Sequence, residues 1–168
     1  MQNHPQEKYM REAITEAERS ASLGQYSIGA LIVDFNGEII SLSHTITHSI
    51  NDATAHAEIN AIREACAKLN SRYLVGCWLY STLEPCPMCT SAAIWAKMEG
   101  IVFGATKEDA QEQAKKITDG KFTWRQINIS SRDILEKGEP KIQLVEKFMR
   151  DECNHLFGFA KNDNDTSA

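Results

Sequence analysis

The chain has 168 residues, a formal net charge of −5 and a hydrophobic fraction of 42%. That length fits one domain with a real core, read here as residues 1–160 followed by a tail at 161–168 with the composition of a disordered end. No apolar run approaches a membrane span, the first nine residues lack a signal-peptide core, and a cytoplasmic protein is expected. The acidic balance argues mildly against broad electrostatic attraction to nucleic acid.

Met10, Ala13, Ile14, Ala17 and Ala21 recur at helical spacing after Pro5, and Gly24 is placed to stop that helix. The run 28–33 has the length of a buried strand. Asn36-Gly37 is a hairpin signal, and 38–42 reads as the returning strand. Residues 43–55 are polar without a clear period and read as a loop. From His56 the helical pattern resumes, with Ile59, Ile62, Cys66 and Leu69 in one stripe and Ala61 and Ala65 beside it. A strand is expected at 78–81, a helix at 86–97 and a buried strand at 100–104. Residues 107–124 read as a helix and then an ordered loop. A short helix is expected at 131–135, a strand at 141–145 and a closing helix at 147–159. Strands alternating with helices indicate an α/β layered fold.

The five cysteines do not read as a disulfide framework, because the count is odd and only Cys86 and Cys89 form a tight pair. Cys66, Cys77 and Cys153 read as ordinary buried thiols. His56-Ala57-Glu58 and Pro85-Cys86-Pro87-Met88-Cys89 each open a helix. One imidazole and two thiolates suit zinc, and three protein ligands leave a fourth tetrahedral position open for a catalytic water. Cys86 and Cys89 are three positions apart, so at a helix start they project to one side. Two helix N-termini would then face one metal and stabilise negative charge there. Glu58, two residues past His56, can converge on the same point and act as the proton carrier, not as a ligand. A Cys-x-x-Cys alone is also compatible with a redox pair or a structural zinc site. His-x-Glu followed by Pro-Cys-x-x-Cys is the more demanding pattern, and it is a known signature of zinc deaminases. His4, His44, His48 and His155 read as surface or loop residues, with His44 lying in the loop that leads to the ligands.

Taken together, Gly29-Ala30, the run Asn51-Asp52-Ala53-Thr54-Ala55-His56-Ala57-Glu58, the run Thr82-Leu83-Glu84-Pro85-Cys86-Pro87-Met88-Cys89 and Phe103-Gly104-Ala105 resemble the cytidine deaminase-like superfamily. The look is that of its guanine deaminase and tRNA adenosine deaminase branch, over residues 6–158. The resemblance implies a three-layer α/β/α sandwich around a mixed five-stranded sheet, and one zinc per chain. It also implies a nucleobase-like substrate and a homodimer, to which 107–124 could contribute by closing a partner's pocket. Ile94-Trp95-Ala96-Lys97 looks like guanine deaminases; Trp95 either walls the base pocket or is a core residue. Ala30, the backbone of Ala57, main-chain groups near Glu84, and Asp109 or Glu112 are the further substrate-binding candidates that the resemblance implies. Both acids read first as solvated helix charges, the ordinary case on a polar helix.

Two departures stand out. The Asn that holds the base in both enzyme types falls here near Thr45, beside His44; these two are further substrate-binding candidates, although one hydroxyl cannot copy an amide's paired donor and acceptor. Arg150-Asp151-Glu152-Cys153 resembles the tRNA enzymes' end, yet the tail after it is acidic. The expectation is therefore a zinc-dependent hydrolytic deaminase of a free, guanine-like base. The alternatives are a tRNA adenosine deaminase, a cytosine- or cytidine-type deaminase, and a non-catalytic structural zinc module.

Overall fold

The computed structural model describes residues 3–117 and 126–159. The loop expected to end the 107–124 segment and the tail 161–168 lie outside the described residues. Helix α1 (Glu7–Ser22) leads into strands β1 (Gly29–Val33) and β2 (Ile39–His44), then the short helix α2 (Thr47–Ile50) and α3 (Ala57–Lys68). Strand β3 (Trp78–Leu83), α4 (Pro87–Trp95), β4 (Gly100–Ala105) and α5 (Lys107–Ile117) follow. The chain continues through α6 (Ser131–Lys137), β5 (Gln143–Val145) and α7 (Arg150–His155), and a 3-10 turn at Leu156–Phe159 ends the described part.

The strands form one sheet in the order β2-β1-β3-β4-β5. β1 is antiparallel to β2 and β3, while β3, β4 and β5 run parallel, so the sheet is mixed as expected. Alternate residues of each strand feed two cores. Ala30, Ile32, Leu79 and Ile101 meet Ala57, Ala61, Ala65, Ala93 and Ala96 from α3 and α4. Leu31, Val33, Tyr80 and Val102 meet Tyr9, Met10 and Ala13 of α1 together with Cys153 and Phe157. This burial on both faces makes the strands read as continuous apolar runs. No described helix is long and apolar enough to cross a membrane.

α1 ends where Gly24 was expected to stop it. The N–H of Gly24 (φ +74°) donates to the carbonyl of Ala21 and that of Gln25 to Ser20, a Schellman pair that needs the left-handed residue. Several boundaries differ from expectation; β3 runs on to Leu83, α4 spans only Pro87–Trp95 and β5 starts only at Gln143. β2 runs two residues further, because Ser43 and His44 pair with Ala30 and Gly29 although both are polar. Within the expected 43–55 loop the chain also makes α2. The closing helix starts only at Arg150, because Lys147 and Met149 adopt positive φ and break the helical path. In α3 the fully buried residues are Ala57, Ala61 and Ala65, whereas Leu69 is exposed, so the small residues face the sheet.

Gly29 shows how close that packing is. A Cβ there would run into the main-chain carbonyl of Ala13 and lie 2.7 Å from the backbone N of Ala17. No rotamer can relieve a clash with backbone, so α1 would have to move. Gly29→Ala is expected to lower stability by about 3 kcal/mol, at the upper end for overpacking. Urea denaturation with an unchanged m-value reads this directly, and an unshifted midpoint would contradict it.

Candidate metal centre

His56 and Cys86 are the N-cap residues of α3 and α4, both in extended backbone conformation. Neither side chain caps its own helix, so each is free to project beyond the helix end. Pro87 occupies the first turn of α4, where its missing N–H costs nothing. Cys89 follows on the same helix and is fully buried. The site therefore lies beyond the carboxyl end of β3, where open α/β sheets place their ligands.

The three donor atoms form a small triangle. His56 Nδ1 lies 3.7 Å from Cys86 Sγ and 3.6 Å from Cys89 Sγ, and the two sulfurs are 3.6 Å apart. A tetrahedral zinc bound at its usual S and N distances has S···S edges of about 3.8 Å and S···N edges of about 3.6 Å. The residues present therefore fit a zinc ion by donor type and by spacing. Among the described residues this trio is the cluster of potential metal ligands.

The protons at these donors are shared. The Cys86 thiol is pulled down to about 4, first by its hydrogen bond with Cys89 and further by His56, against the cost of burial. The His56 imidazole is pushed up by its hydrogen bond with Cys86. The Cys89 thiol moves the other way, held up by its bond to Cys86 and by burial. A divalent cation replacing those protons would satisfy all three groups together.

Glu58 sits in the first turn of α3 and is 4% exposed. Its Oε1 accepts a hydrogen bond from Ser81 Oγ at 3.1 Å, and its Oε2 lies 3.5 Å from Cys89 Sγ. Burial pushes its carboxyl upward, which His56 partly opposes. Such a carboxyl, turned to the ligands but held by a hydroxyl, suits proton carriage.

The other candidates are placed as follows. Ala30 and Ala57 are fully buried in the core beneath the site. Thr45 is buried, and its hydroxyl donates to the carbonyl of Ala55, just before His56. His44 turns to α1, its Nδ1 lying 2.6 Å from Glu16 Oε1. The Glu84 carboxylate accepts from the backbone N–H groups of Ser131 and Lys107. Asp109 accepts two hydrogen bonds from Arg150 and one from the N–H of Thr106, and Arg150 holds its carboxyl below the usual range. Glu112 is exposed and pairs with Lys116.

Trp95 is 81% exposed at the end of α4 opposite Cys86, so it is not a core residue. There it lines a surface hollow with Ser91, Ile94 and Ile134. His4, read as a surface residue, stacks on Trp78 with ring centroids 4.5 Å apart and shares a hydrogen bond with Tyr80 Oη.

Two residues that build the site were not singled out in the sequence. Ser81 is a fully buried hydroxyl beside another, Thr82, in β3, and nothing local in the sequence marks it as the one that faces Glu58. Asn60 lies one turn past His56, and its amide donates to the carbonyls of His44 and Ala55, tying the β2 end to the ligand loop.

Residues 3–105 match the family model for the cytidine and deoxycytidylate deaminase zinc-binding region. The chain is 46% identical over 99 residues to a tRNA-specific adenosine deaminase of Aquifex aeolicus, covering 59% of this chain and 65% of that protein. It is 37% identical over 127 residues to a guanine deaminase of Bacillus subtilis, covering 75% and 78%. The match thus spans a little under two thirds of the Aquifex aeolicus enzyme. A structure from studies of A-to-I editing by tRNA:A34 deaminases superposes with a TM-score of 0.73 at 29% identity, over 90% of this chain and 99% of that one. A guanine deaminase structure from Nitrosomonas europaea gives 0.77 at 22% identity over 95% and 87%, a likeness of fold. The triangle of His56, Cys86 and Cys89 falls inside the matched zinc-binding region, and the chain belongs to this family of zinc-dependent hydrolytic deaminases, which act on C–N bonds.

Proposed function

We propose that this chain hydrolyses the exocyclic amine of a free, guanine-like base and releases ammonia. The observation that carries the chemistry is Glu58, a buried carboxylate set against an open three-donor metal site. When bound, zinc supplies the Lewis acidity that makes water nucleophilic near neutral pH. Glu58 takes one proton from the attacking water and passes it to a ring nitrogen of the base; it then takes the remaining hydroxyl proton and delivers it to the amine, which leaves as ammonia as the ring carbonyl forms. Ser81 fixes one carboxylate oxygen and leaves the other on the ligand side. The raised carboxyl favours this shuttling, since a carrier works best when its pKa approaches the working pH.

The free-base reading is supported by the net charge of −5 and by the 127-residue span of the guanine deaminase match. Trp95 does not contribute to it, because it stands away from the ligands. The higher identity to tRNA-specific adenosine deaminases favours a second reading, in which the amine belongs to an adenosine in a tRNA loop. Ammonia release from zinc-loaded protein separates the two. The expected result is turnover of guanine or a related aminopurine and none of an anticodon stem-loop. Silence on all free bases, with deamination of the stem-loop at low salt, would replace the first reading by the second. A homodimer belongs to the same proposal, and light scattering that finds only monomer at assay concentration removes it.

A further inference from the structure

The polypeptide just before Cys86 is held by a buried polar network that reaches far along the chain. The Pro85 carbonyl accepts from Ser131 Oγ at 2.8 Å and from Thr90 Oγ1 at 3.1 Å. The two hydroxyls are themselves 3.1 Å apart, and both residues are fully buried. Next to them, the Glu84 carboxylate accepts the N–H of Ser131 at 3.0 Å and that of Lys107 at 3.4 Å, so it spans the first residues of α6 and α5. The Pro85–Cys86 peptide unit is therefore tied through its carbonyl to α6 and to α4, and the Glu84 side chain before it to α6 and α5.

The two thiolates depend on this network unequally. Cys89 is carried by a helix and is fully buried, so α4 itself sets its position. Cys86 is the N-cap and is less buried; its carbonyl accepts the N–H of Thr90 at 2.9 Å and the chain enters it from Pro85, so its position depends on Pro85 as well as on α4. An error at a ligand's backbone becomes an error in the metal–ligand distance, to which zinc sites are sensitive. Ser131 also lies beyond residues 3–105, the stretch that carries the zinc-binding match.

We propose that Ser131 is a positioning residue for the metal centre: its hydroxyl, on α6, holds the Pro85 carbonyl and thereby sets Cys86 at ligating distance. The inference rests on the metal-centre reading and adds to it a dependence on a distant helix. Ser130 provides the control. It caps the same helix, its Oγ accepting the N–H of Asp133, and it makes no bond to Pro85 among those described. Loss of that cap loosens α6 without removing the tie to Cys86.

The test compares wild type, Ser131→Ala, Thr90→Val and Ser130→Ala in three measurements: thermal midpoint, rate of zinc release to a chelator, and the ligand-field absorption of the cobalt(II)-loaded protein. Ser131→Ala is expected to release zinc about tenfold faster and to shift the cobalt bands, the usual size for losing an outer support of a ligand. Ser130→Ala is expected to lower the midpoint while release and spectrum stay at wild-type values. If Ser131→Ala does not fold, Thr90→Val interrogates the same carbonyl with a near-isosteric side chain and is expected to change release and spectrum in the same direction. Wild-type release and spectrum in the folded Ser131→Ala protein, or equal changes in Ser130→Ala, would overturn the proposal. A wild-type chain that binds neither zinc nor cobalt would instead overturn the metal-centre reading itself.

Discussion

Glu58→Gln is expected to abolish turnover while zinc stays bound. The amide keeps the size of the carboxyl and can still accept the Ser81 hydrogen bond, so the fold and the three donors should be undisturbed. It cannot take up and return a proton. General acid–base groups contribute about 10²- to 10⁴-fold, and Glu58 serves more than one transfer, so the fall in kcat should lie near the top of that range. Thermal stability should change little, because the amide fills the same space and keeps the Ser81 bond. Ammonia assays run beside metal analysis read both quantities on one preparation. A kcat within tenfold of wild type at full zinc occupancy would remove Glu58 from the chemistry.

Removing Cys89 should have an equally large effect by another route. Its sulfur is the buried corner of the ligand triangle and cannot be replaced from solvent. Cys89→Ala leaves one imidazole and one thiolate, too few to hold zinc against a chelator. Zinc content should fall from about one per chain to near zero, and ammonia release with it. Ligand binding to the native state stabilises it by about 4 kcal/mol when free zinc stands a thousandfold above its dissociation constant. Wild type should therefore melt at a higher temperature with zinc than after chelation, whereas the variant should melt at one temperature in both. An equal zinc-dependent increment in the variant would show that the metal sits elsewhere.

The features legible in the sequence are those whose cause is local. His56 and Cys86 each stand immediately before a helix, and the structure places both as N-caps whose side chains converge. Gly24 stops α1 for a reason contained within the six residues from Ser20 to Gln25. The buried strands showed as apolar runs because both faces of the sheet are covered. The features that were not legible are decided by partners distant in sequence. Ser43 and His44 join β2 because β1 lies beside them, not because their own pattern asks for a strand. His44 turns to Glu16, 28 positions away, and Glu84 to Ser131, 47 positions away. Trp95 was ambiguous because α4 is apolar nearly all round, which leaves no polar face to orient it. Only the packing shows that the helix ends with its largest side chain in solvent.

Zinc is expected in an open site of two sulfurs and one nitrogen, with Glu58 beside it but not bound to it. X-ray absorption at the zinc edge of the loaded wild-type protein tests this most directly. The expected first shell has two sulfur neighbours at about 2.3 Å and two nitrogen or oxygen neighbours at about 2.0–2.1 Å, one of which exchanges with solvent. A first shell of three or four sulfurs, or one unchanged when an inhibitory base analogue or cyanide is added, would contradict it.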